Sequence, residues 1–502
     1  MSTTILWPLI ALQIAMGGFD TFYHHELTER LAWRPSQRRE LLLHGIRNGF
    51  YAVLFAAFGF AELHGAWAML ALALLLIELV ITLMDFVEED MSRALPATER
   101  VTHTLLALNY GAILALLVPV LRMWARQEST IMPVTYGLYS WLAACAACGT
   151  AICALRDLFA SRRCARLVRN PAAQIAPALA ERRTILVTGA TGFIGQRLCE
   201  VLSVYGHDVI ALVRDPGKAS FRAPFTLITD LDQIADSEKI DAVVNLAGEP
   251  ISNGFWTKSK RDRIVRSRVE MTANVVRLLT RLDRRPEVLI NGSAIGWYGL
   301  RGDESLSELG DSKPCFSHDI CAAWEQAALR AEHLGVRVVR LRIGLVLGTE
   351  GGMLSRLLTP FEWGVGGPIG SGLQWMSWIE RDDLVRLIVH AIARREISGP
   401  LNATAPHPVR NAFFAKALGR AMRRPALLRM PAAPLQLALG DFADELLLGG
   451  QRVVPEKALV SGFTFHYPDI DGALAAIVGR PASRQRPSLK KISFDSMAYR
   501  MK

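Results

Sequence analysis

Thr184-Ile-Leu-Val-Thr-Gly-Ala-Thr-Gly-Phe-Ile-Gly195 decides how this chain is read. Ile185 to Val187 form a short apolar run with the character of a buried strand, and Gln196 to Leu202 continue as a helix. Gly189, Gly192 and Gly195 stand between them at GxxGxxG spacing. The first glycine makes a tight turn, the second lets backbone approach a pyrophosphate, and the third lets helix pack against strand. The helix N-terminus then offers N–H groups and the positive end of its dipole to phosphate oxygens. Thr191, Phe193 and Ile194 complete the loop. A second strand follows at His207 to Val213, which makes nucleotide binding the reading of the glycines rather than a bare turn.

The rest of the chain is unlike this stretch. Apolar residues make up 51% of the 502 positions and mean hydropathy is +0.22, but the apolar residues crowd into the first 160 positions. Runs at about Ile46 to Phe60, Ala66 to Met84, Leu105 to Val120 and Val134 to Leu155 are long enough to cross a bilayer. Ile5 to Phe19 is shorter and either spans or lies in the interface. No Lys or Arg precedes that first run, which argues against a secretory signal peptide. Seven cysteines without framework spacing argue against a disulfide-stapled fold.

The net charge of +10 is carried largely by arginines that flank the apolar runs. Arg30, Arg34, Arg38 and Arg39, then Arg93 and Arg100, then Arg156, Arg162, Arg163, Arg166 and Arg169 fall on alternate connections, and Arg126 alone on the others. Basic connections face the cytoplasm, so the expected location is a multi-pass cell-membrane protein with its nucleotide domain on the cytoplasmic side. No nucleic-acid motif accompanies the charge, which excludes nucleic acid as the expected partner. Membrane lipid and a small or lipid-soluble substrate are the partners this organisation implies.

The same topology gathers polar groups at one side of the apolar section: Asp20, His24, His25 and Glu26, then Glu40 and His44, then Glu78, Asp85 and Glu89, then Glu99 and His103. Glu40/His44 and Glu99/His103 are i,i+4 pairs, each on one helical face. Two readings stand: a metal or haem site built from several helices, with His24, Glu40, His44, Glu78, Asp85, Glu99 and His103 as candidate ligands, or a cluster solvated at the interface and paired with arginine.

The second strand ends in Arg214-Asp215. A basic residue there accommodates the 2′-phosphate of NADP and an acidic one binds the ribose of NAD, so Arg214 favours NADP while Asp215 keeps NAD open. Asp230 and Leu231 end a third strand at the position that borders the adenine. Asp241 to Leu246 is a fourth strand, followed by Ala247 and Gly248, small enough for backbone to approach the cofactor.

With these segments, the GxxGxxG loop resembles the short-chain dehydrogenase/reductase superfamily in its extended, epimerase-like branch. Asn245-Leu-Ala-Gly-Glu-Pro-Ile251, Trp256-Thr257, Ser267-Arg268-Val269, Ser293-Ala-Ile-Gly-Trp-Tyr-Gly299, Trp324-Glu325, Gly348 to Gly352, Gly366 to Gly372, Gln374 to Ile379 and Asp382-Asp383-Leu384 resemble one atypical epimerase-like subfamily. The resemblance covers about residues 184 to 480 and leaves out the apolar section. It implies a Rossmann domain with NADP-type binding and a small C-terminal domain that closes over substrate. It also implies a Ser/Thr, a Tyr and a Lys four residues after the Tyr as catalytic groups. Counted back from Trp324-Glu325, the Tyr and Lys positions hold Ser317 and Cys321, so the usual pair is absent. Ser293 and Tyr298 are the candidate catalytic residues, with His318, Asp319 and Glu325 as substitutes.

The expected architecture is an α-helical transmembrane bundle (1–160), a basic linker (161–183), an NADP-binding α/β Rossmann-type parallel sheet (184–400), a small mostly helical substrate-side domain (401–480) and a basic tail (481–502). The expected function is a membrane-anchored NADP-dependent oxidoreductase or epimerase acting on a carbonyl or hydroxyl. The alternatives are a non-catalytic NADP sensor and an NADPH-to-metal electron carrier.

Overall fold

The computed structural model describes residues 3–93, 95–167, 175, 179, 181–218, 225–252 and 254–480. Part of the expected linker, Arg169 included, and the whole basic tail lie outside the described residues.

Five long helices come first: α1 (Thr3–Phe19), α2 (Arg38–Phe60), α3 (Ala66–Ser92), α4 (Ala97–Trp124) and α5 (Leu138–Arg166). All five are long and apolar enough to cross a membrane, α1 through its continuation to Thr28. The run that began the chain is therefore the equal of the other four. Their large apolar side chains turn outward (Leu76 63% exposed, Leu108 69%, Trp141 72%), the reverse of a water-soluble bundle. Between α2 and α5 the backbones approach at small residues: a Cβ on Gly59 would come within 2.6 Å of the Ala143 Cβ, and one on Gly45 would meet Leu158. Van der Waals packing at such sites is what holds helices together when the surroundings are apolar. α5 runs on through Arg166, so the first residues of the expected linker are helical.

Seven parallel strands follow: β1 (Thr184–Thr188), β2 (Asp208–Leu212), β3 (Thr226–Ile228), β4 (Ala242–Asn245), β5 (Val288–Ala294), β6 (Arg337–Ile343) and β7 (Gly399–Ala403). They lie in the order β7-β6-β5-β4-β1-β2-β3, so the order reverses beside β1 and the cleft above the strand ends opens there. Ile185, Leu186 and Val187 are fully buried because helices cover both faces, α6 (Gly195–Val204) and α10 (Arg381–Ala393) on one and α7 (Lys258–Arg281) and α8 (Phe316–Leu329) on the other. The apolar segment from Val336 to Val346 forms two strands. At Gly344, where a Cβ would sit 2.5 Å from the Ser377 carbonyl, the chain leaves the sheet, and Leu345–Leu347 pairs with Trp378–Glu380. The C-terminal part is small and mostly helical, led by α11 (Asn411–Met422).

The two halves share a core. Leu31, Ala32, Trp33, Leu41, Ala160 and Cys164 from the first five helices and their connections join Leu354, Leu358 and Phe361 of α9 (Gly352–Glu362) and Phe414 of α11 in one apolar cluster. At its rim Glu362 accepts from Trp33 Nε1 at 3.2 Å, Arg156 Nη2 at 3.2 Å and Arg163 Nη1 at 2.6 Å. Burial alone would raise the Glu362 carboxyl, but Arg163 and Arg156 outweigh it and hold it below the ordinary glutamate value. Removing one partner strands the others, at about 3 kcal/mol for buried pairs and less here because the arginines keep some solvent contact (13% and 21% exposed). Glu362→Ala should therefore speed hydrogen exchange in α9 and around Ala32 and Trp33 while β1 exchanges as in wild type. Unchanged exchange in α9 would show that the apolar contact alone holds the halves together.

Candidate functional site

The glycine loop joins β1 to α6 through three positions with different tolerances. Gly189 has φ of +67°, and a Cβ there would sit 2.8 Å from the Leu246 carbonyl carbon. A Cβ on Gly195 would fall 2.2 Å from the Gly189 carbonyl oxygen, whereas one on Gly192 meets only that oxygen at 3.1 Å. Gly189 and Gly195 are thus excluded volume inside the protein. Gly192, like Thr191, is exposed and faces space that a phosphate can fill. Ile194 packs against the core. Phe193 lies against Gly348, Gly351 and Gly352, none of which has room for a Cβ of its own, and under the guanidinium of Arg381 at 5.0 Å. The distant Gly348–Gly352 segment is therefore a brace for the phosphate loop, a role that its composition did not disclose. Arg197 of α6, nearly fully buried, donates to Asp382 at 2.9 and 3.2 Å and ties α6 to α10.

Across the cleft, the Ala247 N–H donates to Thr188 Oγ1 at 3.2 Å, and Gly248 lies against the Arg268 guanidinium. Arg214 is exposed at the end of β2. Its neighbour Asp215 accepts from the Gly217 N–H at 3.0 Å, so that carboxylate is engaged in its own turn while the guanidinium remains at the surface. Asp230 accepts from the Asp232 N–H at 3.0 Å and caps a short helical turn. The Leu231 side chain enters the core between sheet and helices rather than the cleft.

The two candidate catalytic hydroxyls are both engaged. Ser293, at the end of β5, donates to Glu325 Oε1 at 2.8 Å, and Glu325 also accepts from Arg342 at 2.9 and 3.1 Å and from Arg340 at 3.1 Å. Tyr298 is fully buried, its hydroxyl 2.7 Å from Asn402 Oδ1 and 2.9 Å from the Ser307 carbonyl. Burial pushes its phenol above the usual value in spite of Arg342. Trp324 packs on Gly292, where a Cβ would meet the indole at 2.6 Å, and donates to Thr272 at 3.0 Å. Trp324-Glu325 therefore clamps β5 and β6, through Arg340 and Arg342, which the sequence did not single out because their partners are remote in the chain.

At the positions of the superfamily's Tyr and Lys, Ser317 donates to Glu445 at 2.5 Å, and burial pushes the Cys321 thiol up to about 11. Neither is a proton donor of the usual kind. Beside them, the His318 Nδ1–H donates to the Trp297 carbonyl at 2.6 Å. A carbonyl can only accept, so this contact keeps a hydrogen on Nδ1 and leaves Nε2 as the ring nitrogen that exchanges a proton.

In the helical section, the structure brings the candidate ligands His24, Glu40, His44, Asp85, Glu99 and His103 together with Asp20, His25 and Glu89 of the same polar group. Glu78 stands apart, bonded to Thr82 and Tyr110.

Strand order and phosphate loop define a dinucleotide-binding protein of the epimerase type. Residues 185–402 match the NAD dependent epimerase/dehydratase family, and residues 430–477 match a domain of unknown function, DUF1731. The chain is 38% identical over 309 residues to the epimerase family protein ML0860 of Mycobacterium leprae, covering 61% of this chain and 99% of that protein. It is 36% identical over 298 residues to human epimerase family protein SDR39U1, covering 59% and 99%. A crystal structure of human SDR39U1 (isoform 2) with NADPH superposes with a TM-score of 0.54 at 32% identity, over 59% of this chain and 99% of that one. This chain belongs to the epimerase family, as an SDR39U1-like domain with its DUF1731 domain behind five long apolar helices.

The three glycines predict different outcomes. Gly192→Ala should leave the melting temperature within about 2 °C and weaken NADPH binding about tenfold, or about 1.4 kcal/mol. Gly195→Ala should lower both stability and binding. Calorimetric titration beside thermal melting checks the pair, and equal melting temperatures for the two variants would contradict the geometry.

Proposed function

We propose that this protein is a membrane-anchored NADP(H)-dependent reductase or epimerase with its nucleotide domain on the cytoplasmic side, acting on a lipid-soluble carbonyl or hydroxyl. The observation that carries the reading is the phosphate loop with Arg214 exposed at the end of β2 and Asp215 turned to its own backbone. The human relative whose structure was solved with NADPH supports the cofactor. The orientation rests on the arginines: Arg34, Arg156 and Arg163 lie at the bundle end that docks the nucleotide domain. The preference for a lipid-soluble substrate rests on that docking, which holds the cleft near the bilayer.

Bound NADPH supplies a hydride, so reducing a carbonyl to a hydroxyl needs one further proton. With Tyr298 and Ser293 engaged in the scaffold, we assign the proton to His318, given from Nε2 of its imidazolium form while Nδ1–H stays on the Trp297 carbonyl. It sits next to the position of the superfamily's tyrosine with its Nδ1 held by the Trp297 carbonyl. A second reading, NADP sensing without turnover, is favoured by Ser317 and Cys321 in place of the usual pair and by the Glu362 seam that joins α9 to the helical section.

Consumption of NADPH by the full-length protein in lipid nanodiscs, with long-chain and water-soluble carbonyls in parallel, separates the two. The reductase reading predicts turnover with the amphiphilic carbonyls, reduced on the order of 100-fold in kcat by His318→Gln with NADPH affinity unchanged. NADPH binding without turnover on any carbonyl would favour the sensor.

A further inference from the structure

Each of the first four helical segments contributes two or three closely spaced ionisable groups to one buried cluster. The winding beyond α1 supplies Asp20 with His24 and His25, α2 supplies Glu40 and His44, α3 supplies Asp85 and Glu89, and α4 supplies Glu99 and His103. α-Helical spacing alone would not send Asp20, His24 and His25 inward together. Here Asp20–Thr28 is a π-helix, whose i→i+5 winding brings residues four and five apart onto one face. Such segments are rare and frequently fall at functional sites.

Five carboxylates (Asp20, Glu40, Asp85, Glu89, Glu99) meet two guanidiniums, Arg47 on Asp85 and Arg93 on Glu40 and Glu99, an excess of three negative charges. Asp85 and Glu99 have no exposed surface and Asp20 only 4%. Uncompensated charge in such surroundings is costly and marks function. His25 and His44 stack face to face with ring centroids 4.5 Å apart, where two cations would repel, so one of that pair is left neutral with a lone pair to offer a metal.

Within the cluster, a ligand atom from each of Asp20, His25, Glu99 and His103 lies within 4.8 Å of the others. The edges of the group are 3.5 Å (His25 Nε2 to Asp20 Oδ2), 3.6 Å (His25 Nε2 to Glu99 Oε1) and 3.3 Å (His103 Nε2 to Asp20 Oδ2). Four ligands at about 2.1 Å around a tetrahedral ion stand about 3.4 Å apart, so these separations are those of a coordination shell. His25 is 7% exposed and its Nε2, aimed into the group, has no hydrogen-bond partner. The outer contacts also fit. His103 Nδ1 faces Glu89 Oε2 at 3.3 Å, a carboxylate–histidine arrangement that fixes a ligand ring. His24 Nδ1 contacts Asp20 Oδ1 at 2.8 Å, and Arg93 donates to both Glu99 oxygens at 2.8 and 2.6 Å.

We propose that Asp20, His25, Glu99 and His103 bind one divalent first-row transition ion, of the zinc, iron(II) or manganese(II) class that suits two imidazoles and two carboxylates. The site lies at the bundle end that docks the nucleotide domain, and it is independent of the reductase reading.

The test uses full-length protein in detergent, stripped with a chelator, then titrated with Co²⁺ alone and with Zn²⁺ alone. The expected result is one equivalent of Zn²⁺ and a visible Co²⁺ spectrum of mixed nitrogen and oxygen ligation. Asp20→Asn and His103→Gln should each weaken Zn²⁺ on the order of 100-fold, with NADPH binding retained as the sign of a folded protein. His64→Gln, a change at a buried histidine in the connection between α2 and α3, should bind as wild type. Stripped wild-type protein that still binds NADPH but takes up neither ion would overturn the site. So would variants that bind with wild-type affinity. If both variants fail to fold, the wild-type stoichiometry and Co²⁺ spectrum decide.

Discussion

The nucleotide domain depends on an absence of side chain. With the Gly189 carbonyl oxygen 2.2 Å from where a Gly195 Cβ would stand, α6 can start only if residue 195 is glycine. Only then does its N-terminus point along the end of β1 into the cleft. The cost of three flexible glycines in the loop is offset by restraint from outside: Phe193 held by Gly348–Gly352 and Arg381, and Arg197 held by Asp382. The phosphate site is thus rigid because of residues about 150 to 190 positions further along the chain.

The second organising contact is the seam between the halves. Apolar side chains from Leu31 to Leu41 and from α5 pack on α9 and α11, and Glu362 gathers Trp33, Arg156 and Arg163 at the edge. Arginines that read as a topology signal in the sequence therefore have a second use, as fixed partners for one carboxylate of the soluble domain. Planar guanidinium suits this role, since Arg163 both donates to Glu362 and covers the Trp33 ring at 3.5 Å.

Much of this was legible from local pattern. The GxxGxxG loop between two apolar runs announced the Rossmann sheet, and the apolar lengths announced the helices, because both signals depend on neighbours in sequence. What was not legible depends on partners far apart. Ser293 and Tyr298 stand at and just after the end of β5 as a catalytic pair would, yet Glu325, Asn402 and the Ser307 carbonyl engage their hydroxyls. Arg340 and Arg342 gave no signal, since a charged residue within a strand acquires meaning only beside Glu325. The helical cluster shows the same limit: the i,i+4 pairs of α2 and α4 were visible, but the joint inward turn of Asp20, His24 and His25 comes from a π-helical winding that α-helical periodicity does not anticipate.

The central claim is that the cradle between β1 and β2 takes NADP(H) in preference to NAD(H) through Arg214. The most direct measurement is a fluorescence titration of the full-length protein with NADPH and with NADH, for wild type and Arg214→Ala. The account predicts tighter binding of NADPH than of NADH by wild type, and a loss of that preference in the variant with NADH affinity unchanged. Folded wild-type protein that binds neither nucleotide, or a preference for NADPH that survives the substitution, would contradict it.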